Sequence, residues 1–548
     1  MARDSSPSRL PLLLGGMLAV LALAGILVLV LRAGGGEGVS LPQDRTYTEG
    51  VAGTWQRINP LYAPMNEVDA DLAQLVFAGL TRLAPDGTVL PGLAELPEIS
   101  ADGRSYTFRL RNGLEWHDGA PLTSRDVAFT IATLTNPDSR ADAGLAEGWL
   151  GVELETPDPA TVVFRLKQPS APFLARNTTV GILPEHLLAN VAATALYDAP
   201  FNTAPVGAGP YRLDSLNARE AVLTADRDYH LGQPGISSLR LRFFTDYPTA
   251  LRAFQERELD GLLVRDTISE AQLTGLQKVK GVRIEQPQRA AMMLLYLNND
   301  LADTFADERV RRAISIALDR QAIVDRVYHG LASPSSSPVA PGTWAYARQY
   351  DVITPAQAEA RSLLEEAGWK PHPTTGILIN KARGEEFRFT IRTDNDPIRL
   401  AVAKEVAAQL EPLGIRATVA STTFAVLLRD FLQERKYEAA IAGWDQGADP
   451  DLYSGWHSSQ LGVAGRNIAN FADQVADRLI EKARTSTDTE VRKDQYRQLQ
   501  EVWQELGPSV VIAYPRYTYA HTDDLKGRST SVLFSPSLRF ADILNWKL

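Results

Sequence analysis

An uncharged apolar run, Leu10 to Leu31, lies near the start of the chain between Arg9 and Arg32. Its 22 residues match the roughly 20 that a helix needs to cross a hydrocarbon core. They exceed the about 7–15 apolar residues of a cleaved signal peptide. Before the run Arg3 and Arg9 stand against Asp4, and after it Glu37 and Asp44 stand with Arg32 and Arg45, a weak charge bias. That bias favours the N-terminus inside and the bulk of the chain outside. An uncleaved anchor is the first reading; a signal peptide processed near Ala33 and a buried core helix are the alternatives. Ala33 to Gly38 (AGGGEG) reads as a flexible tether. No second apolar run of that length follows, so the rest is expected to be a soluble body held near a membrane.

Within the body, strand and helix periods alternate. Thr46–Val51, Ser105–Leu110 and Thr161–Leu166 alternate like strands. Asp69–Leu80 carries Leu72, Leu75, Val76 and Leu80 on one helical stripe. Thr123 to Asp126 has the spacing of a capping box and opens a helix. Ser238–Phe244 and Arg283–Glu285 are strands bracketing a helix at Pro248–Arg257. Asp307–His329 predicts two helices, the second capped by Asp319. Pro355–Ala367 is a helix with Thr354 as its cap and Gly368 past its end. Phe387–Arg392, Ile398–Leu413 and Ile415–Val419 form a strand–helix–strand unit, which implies a parallel pair with a right-handed crossover. Asp473–Arg484 and Thr489–Leu506 are further amphipathic helices.

Composition narrows the function classes. The 548 residues are 45% hydrophobic and 22% charged, which fits a globular chain of several domains. The formal net charge is -10, so a nucleic-acid partner, which needs clustered positive charge, is not expected. There is no cysteine, which removes disulfides, thiolate metal sites and cysteine nucleophiles. No GxSxG elbow, HExxH or GxxxxGK[ST] loop occurs. The seven histidines are scattered without ligand spacing, and only His457 falls in a segment of interest, with a plain surface position as its alternative. No metal, cofactor or catalytic residue is expected.

Seven segments in order then resemble one family, the extracytoplasmic solute-binding proteins of peptide and nickel ABC importers (family 5, dipeptide/oligopeptide type). They are Ile58–Tyr62, Leu75–Leu80 with Leu90–Leu93, Tyr106–Phe129, Val206–Leu213, Val310–Val324, Ala358–Trp369 and Gly443–Ser459. The resemblance implies an α/β, two-lobed periplasmic-binding-protein fold, here preceded by one N-terminal transmembrane helix. It divides the chain into a cytoplasmic tail (1–9), an anchor or signal segment (10–32), a linker (33–45), lobe I (46–289) with an inserted subdomain near 85–205, lobe II (290–510) and a return segment (511–548) that completes lobe I. Crossings between lobes are expected near Ala290–Leu297 and Val510–Tyr519. The implied function is capture of an oligopeptide by lobe closure and delivery to the transmembrane subunits of an ATP-binding cassette permease, at the outer side of the cytoplasmic membrane, by a monomer. A nickel chelate, an oligosaccharide, another solute or a sensor role are the alternatives.

A receptor for many peptides must read what all peptides share, beginning with the amine. A buried or cleft carboxylate suits it, because charge-assisted hydrogen bonds are about twice as strong as neutral ones. The resemblance places such an Asp shortly after a Gly-Trp pair, here Gly443-Trp444-Asp445 ahead of Asp449-Pro450-Asp451. The loop before Asp449 is one residue shorter than in dipeptide-binding members. Asp445 is the first candidate for the amine and Asp449 the second, with turn chemistry the alternative for both. Trp444 is a cleft wall or ordinary core. Tyr62 lies in a loop that borders the cleft in relatives. Thr393 and Asn395 follow a strand and precede a helix, where ligands gather in α/β sheets; a plain connecting loop is the alternative. Trp116-His117-Asp118-Gly119 is assigned to structure.

Overall fold

The computed structural model describes residues 46–265, 268–300, 303–352, 354–529 and 532–548. The expected anchor at 10–31 and the linker at 33–45 lie outside the described residues. Among the described residues no helix is long and apolar enough to cross a membrane.

Two sheets organise the body. The first runs Val282–Glu285, Thr518–Thr522, Gly261–Val264, Thr46–Ala52, Ser238–Phe244, Glu220–Ala225, Tyr211–Leu216. The second runs Ala332–Pro334, Ser509–Pro515, Ala291–Leu297, Ala439–Asp445, Arg388–Asp394, Arg416–Thr422. Thr518–Thr522 pairs with Gly261–Val264 and Val282–Glu285, so the C-terminal part of the chain completes the sheet that the N-terminal part began. A smaller antiparallel sheet of Glu98–Ile99, Ser105–Arg109, Thr161–Arg165 and Glu153–Asp158 stands apart from both larger sheets, within the segment expected to be an inserted subdomain.

The apolar run at Ala291–Leu297 has a direct structural reason. Met293, Leu295 and Leu297 enter one core with the helices Glu308–Ala317, Arg320–Val327 and Pro397–Leu410. Met292, Leu294 and Tyr296 enter a second core with Gln474–Thr485 and Thr489–Leu506. Successive side chains of a strand point to opposite faces, so a strand covered on both faces is apolar at nearly every position. The crossing expected at 290–297 therefore lies earlier, at 286–290, because the whole run pairs inside the second sheet. Likewise Ser509–Pro515 pairs with Ala291–Leu297 and Ala332–Pro334, so the return starts at Arg516 rather than 511. The two crossings touch: Tyr517 N–H donates to the Pro287 carbonyl at 2.9 Å, and Gln288 bridges Arg516.

Local signals held where the chain could act on them. Thr123 and Asp126 form the capping box of Ser124–Thr135. Arg388–Asp394 and Arg416–Thr422 are parallel neighbours joined by Pro397–Leu410. Two boundaries moved. The helix at Gln357–Glu366 starts after Ala356, not at Pro355, because Ala356 has a non-helical backbone (φ -121°, ψ 65°) and no side chain caps it; its N–H donates to the Ile316 carbonyl at 2.8 Å. The helix Glu67–Val76 starts at the Asn66 cap, whose side chain accepts from Val68 and Asp69. It ends at Val76, short of Leu80, where Gly209 N–H donates to the Val76 carbonyl at 2.8 Å.

That last contact explains Gly207-Ala208-Gly209. A methyl on Gly207 would overlap the Val76 carbonyl oxygen, and one on Gly209 would meet the same peptide unit. Gly207→Ala is therefore expected to lower stability by about 3 kcal/mol, the upper part of the overpacking range. A urea titration would register it as an earlier midpoint with an unchanged slope.

Candidate functional site

The gap between the lobes begins at the crossings. A cavity of about 120 Å³ there is lined from lobe I by Arg265, Ile268 and Thr518. From lobe II and the crossing strands it is lined by Arg289, Met293, Tyr328, Asp396, Arg399 and Arg516, among others. A second cavity, about 310 Å³, lies between the inserted subdomain (Thr88, Val89, Ile99, Tyr106) and lobe II (Trp344, Asp449, Arg492). The two lobes also touch away from the crossings. Ala171 N–H donates to the Arg484 carbonyl at 2.8 Å, and Arg466 lies 3.7 Å from Glu147.

Asp445 ends the strand Ala439–Asp445, and its backbone pairs with Ala291, the first residue after the crossing. Its side chain is 89% exposed, and Arg289 Nη2 stands 3.9 Å away, beyond hydrogen-bond distance. It is an exposed carboxylate with hydrogen-bonding capacity to spare, next to an arginine of the cavity lining. Trp444 pairs with Met292 and is half-buried, edge-on to Trp456 at a centroid distance of 4.9 Å, with Gly455 leaving the room its ring needs. The loop after them is anchored, since Gln446 N–H donates to the Ala290 carbonyl at 2.6 Å.

Asp449 is in a different situation. It is buried, and both of its oxygens accept from Arg492 Nη2 at 2.7 Å. Burial pushes its carboxyl above the usual range, opposed by the Arg492 guanidinium. Its hydrogen-bonding is taken up inside lobe II. Tyr62 is also interior. Its hydroxyl donates to the Ser139 carbonyl at 2.7 Å, its ring meets Tyr197 edge-on at 5.0 Å, and burial pushes the phenol up to about 12. Thr393 is fully buried, with its hydroxyl 3.3 Å from the Ile441 carbonyl, while Asn395 is exposed. The helix that follows has its N-terminus closed by carboxylates: Asp396 accepts from Arg399 N–H, and Asp394 holds the Arg399 guanidinium through two contacts of 2.7 Å. His457 is not on the surface. It is 6% exposed, its ring stacks on Tyr453, and its nitrogens lie 2.8 Å from Ser459 Oγ and 3.2 Å from Glu481. His117 serves structure, with Nε2 2.9 Å from the Gly209 carbonyl.

Sequence reasoning missed the arginines. Arg539, from the return segment, binds Glu49 at 2.8 Å and Asp71 at 2.7 and 2.8 Å. Arg265 binds Asp71 and Glu67, each at 2.5 Å. This buried network joins the first strand, the helix Glu67–Val76 and the C-terminal segment, and it reaches the crossing cavity through Arg265. Two further arginines had a local signal: Arg516 interrupts the aromatic stretch Tyr514–Tyr519, and Arg289 stands at the polar end of the apolar run that begins at Ala290.

Comparison with known proteins agrees with this architecture. The family model for bacterial extracellular solute-binding proteins, family 5 (middle region), matches residues 88–464. The oligopeptide-binding protein AppA of Bacillus subtilis is 27% identical over 478 residues, covering 86% of each chain. Among solved structures, NikZ from Campylobacter jejuni in complex with Ni(L-His) superposes with a TM-score of 0.68 at 26% identity, over 93% of this chain and 100% of that one. AppA from Bacillus subtilis in complex with a nonapeptide gives 0.65 at 26% identity, over 92% and 99%. The chain belongs to the family 5 extracellular solute-binding proteins, and its fold is the two-lobed α/β fold of that family.

Proposed function

We propose that this family 5 protein is a membrane-tethered receptor that captures oligopeptides outside the cytoplasm by lobe closure and presents them to an ABC permease. The observation that carries the reading is Asp445, an exposed carboxylate at the end of the strand Ala439–Asp445, 3.9 Å from Arg289, which lines the cavity between the lobes. Trp444 supplies an aromatic wall next to it. A solute that touches both lobes only when they are together shifts the population toward the closed form, and the closed form is what a permease can distinguish. No bond is made or broken. The peptide-binding relative at 27% identity supports the solute class, and the apolar run at 10–31 supports the tether.

Native mass spectrometry of the purified full chain tests the reading. Peptides released on denaturation, together with thermal stabilisation by peptide pools, are the expected result. Release of a metal complex or a sugar would replace the peptide assignment, and an unshifted mass with no stabilisation by any pool would remove it. Asp445→Asn sharpens the test. It removes a charge-assisted contact of about 1.5–3 kcal/mol, so peptide affinity is expected to fall about tenfold to a hundredfold. Because the side chain is exposed, the melting temperature of the solute-free protein stays within a degree or so of the parent, as for ordinary surface changes.

A further inference from the structure

Four arginines and one carboxylate, Asp396, line the crossing cavity. Two of its four arginines are paired internally: Arg265 with Glu67 and Asp71, and Arg399 with Asp394 and Asp396. The other two are contributed by the crossings themselves. Arg516 has the Ser333 hydroxyl as its side-chain partner, at 2.9 and 3.1 Å, and makes no ion pair with a carboxylate among the described residues. Arg289 stacks over Tyr517 at 5.1 Å. Its Nε is buried with no hydrogen-bond partner, and its nearest recorded carboxylate oxygen is that of Asp445 at 3.9 Å.

A third donor lines the same space. Tyr328 is 5% exposed, and its hydroxyl is buried with no partner. Buried polar groups are nearly always hydrogen-bonded, and leaving one unmade costs about 1–3 kcal/mol. Asp396, the carboxylate of the lining, is engaged by Arg399, which leaves the Tyr328 hydroxyl and Arg289 Nε as donors without an acceptor. The cavity, of about 120 Å³, has room for a carboxylate or phosphate group.

We propose that this cavity is an anion subsite, in which Arg289, Arg516 and Tyr328 hold a carboxylate or phosphate group carried by the captured solute. The assignment rests on the receptor reading and narrows it to solutes with a compact oxyanion. Asp445 and Arg289 are neighbours, so the solute presents its ammonium and its anion close together. Since the lining comes from both lobes and both crossings, an anion here ties the lobes at the pivot and favours closure.

The test uses the full chain with sodium acetate and inorganic phosphate as probes, at constant ionic strength set by sodium HEPES. A saturable rise in melting temperature is expected for at least one probe. Tyr328→Phe, Arg289→Gln and Arg516→Gln should each raise the half-saturating concentration about tenfold. Tyr328→Phe removes only an unpartnered hydroxyl, so it folds even where an arginine variant does not. No saturable rise in the parent, or the same half-saturation in parent and Tyr328→Phe, overturns the proposal. Probe binding is read without any solute, so it reports separately from capture. Where native mass spectrometry identifies a solute, that solute should exclude the probe, and its carboxamide or dephosphorylated analogue should bind at least tenfold more weakly. Simultaneous binding of solute and probe overturns the assignment to the solute.

Discussion

Replacing Arg539 with leucine is expected to cost lobe I about 3–5 kcal/mol, because removing one partner of a buried ion pair leaves uncompensated charge behind. Here the loss is compounded. Glu49 and Asp71 are 1% and 0% exposed, and Arg539 donates to both. Burial by itself raises the Asp71 carboxyl, but Arg265 and Arg539 together outweigh that and hold it below the usual carboxylate range. A depressed folded value contributes stability that is present above the unfolded pKa, near 4. That stability is lost as pH falls through the lower folded value. The parent protein should therefore lose resistance to urea as pH drops below about 4. In Arg539→Leu only Arg265 remains beside Asp71, so the loss begins at higher pH. Hydrogen exchange would locate the damage: protection should fall at Thr46–Ala52 and Glu67–Val76 and persist in Ala439–Asp445.

Asp449→Ala is expected to do comparable harm in lobe II, again about 3–5 kcal/mol. The Arg492 side chain is 9% exposed. Without Asp449 its guanidinium keeps the Ala483 carbonyl at 2.8 Å and the faces of Trp344 and Tyr496, but no counter-charge within hydrogen-bond distance. Replacing both partners together, Asp449→Leu with Arg492→Met, should recover much of the loss, since a buried pair is itself little better than apolar packing. The contrast with Asp445→Asn separates structure from binding. Asp449→Ala should lower the urea midpoint and lose solute only as a consequence, whereas Asp445→Asn should lose solute at constant stability. Equal stability of Asp449→Ala and parent would show that Asp449 is not the strut described here.

The legible part of the fold was the part encoded over short distances. The helix Thr489–Leu506 has its expected bounds, as does the strand Ser238–Phe244, because periodicity and flanking caps suffice for an element whose face is buried by whatever lies next to it. The capping box at Thr123 is likewise self-contained. Boundaries set by distant groups were not legible. Nothing in Asp69–Leu80 announces that the carbonyl of Val76 will be taken by Gly209. Nothing near Pro355 announces that Ala356 will take a non-helical backbone, its N–H bonded to Ile316. The candidate site divided the same way. The family resemblance makes the aspartates after Gly443-Trp444 candidates for the amine, but it cannot say which of the two already has a partner; only the helix that brings Arg492 against Asp449 settles that.

What the chain alone determined, then, is an α/β body with no cysteine chemistry, a long apolar segment near its start, and a carboxylate–tryptophan loop in a series of segments shared with solute receptors. Those properties follow from residue type and spacing, which act over a few positions. The tertiary structure decided where the lobes meet, which charges are spent on each other and which are left over. Glu49 and Arg539 are 490 positions apart, and Arg289 and Arg516 share one cavity from opposite crossings. The energy of a charge depends on its neighbours and its distance from water, and for these groups both are set only once the sheets have formed.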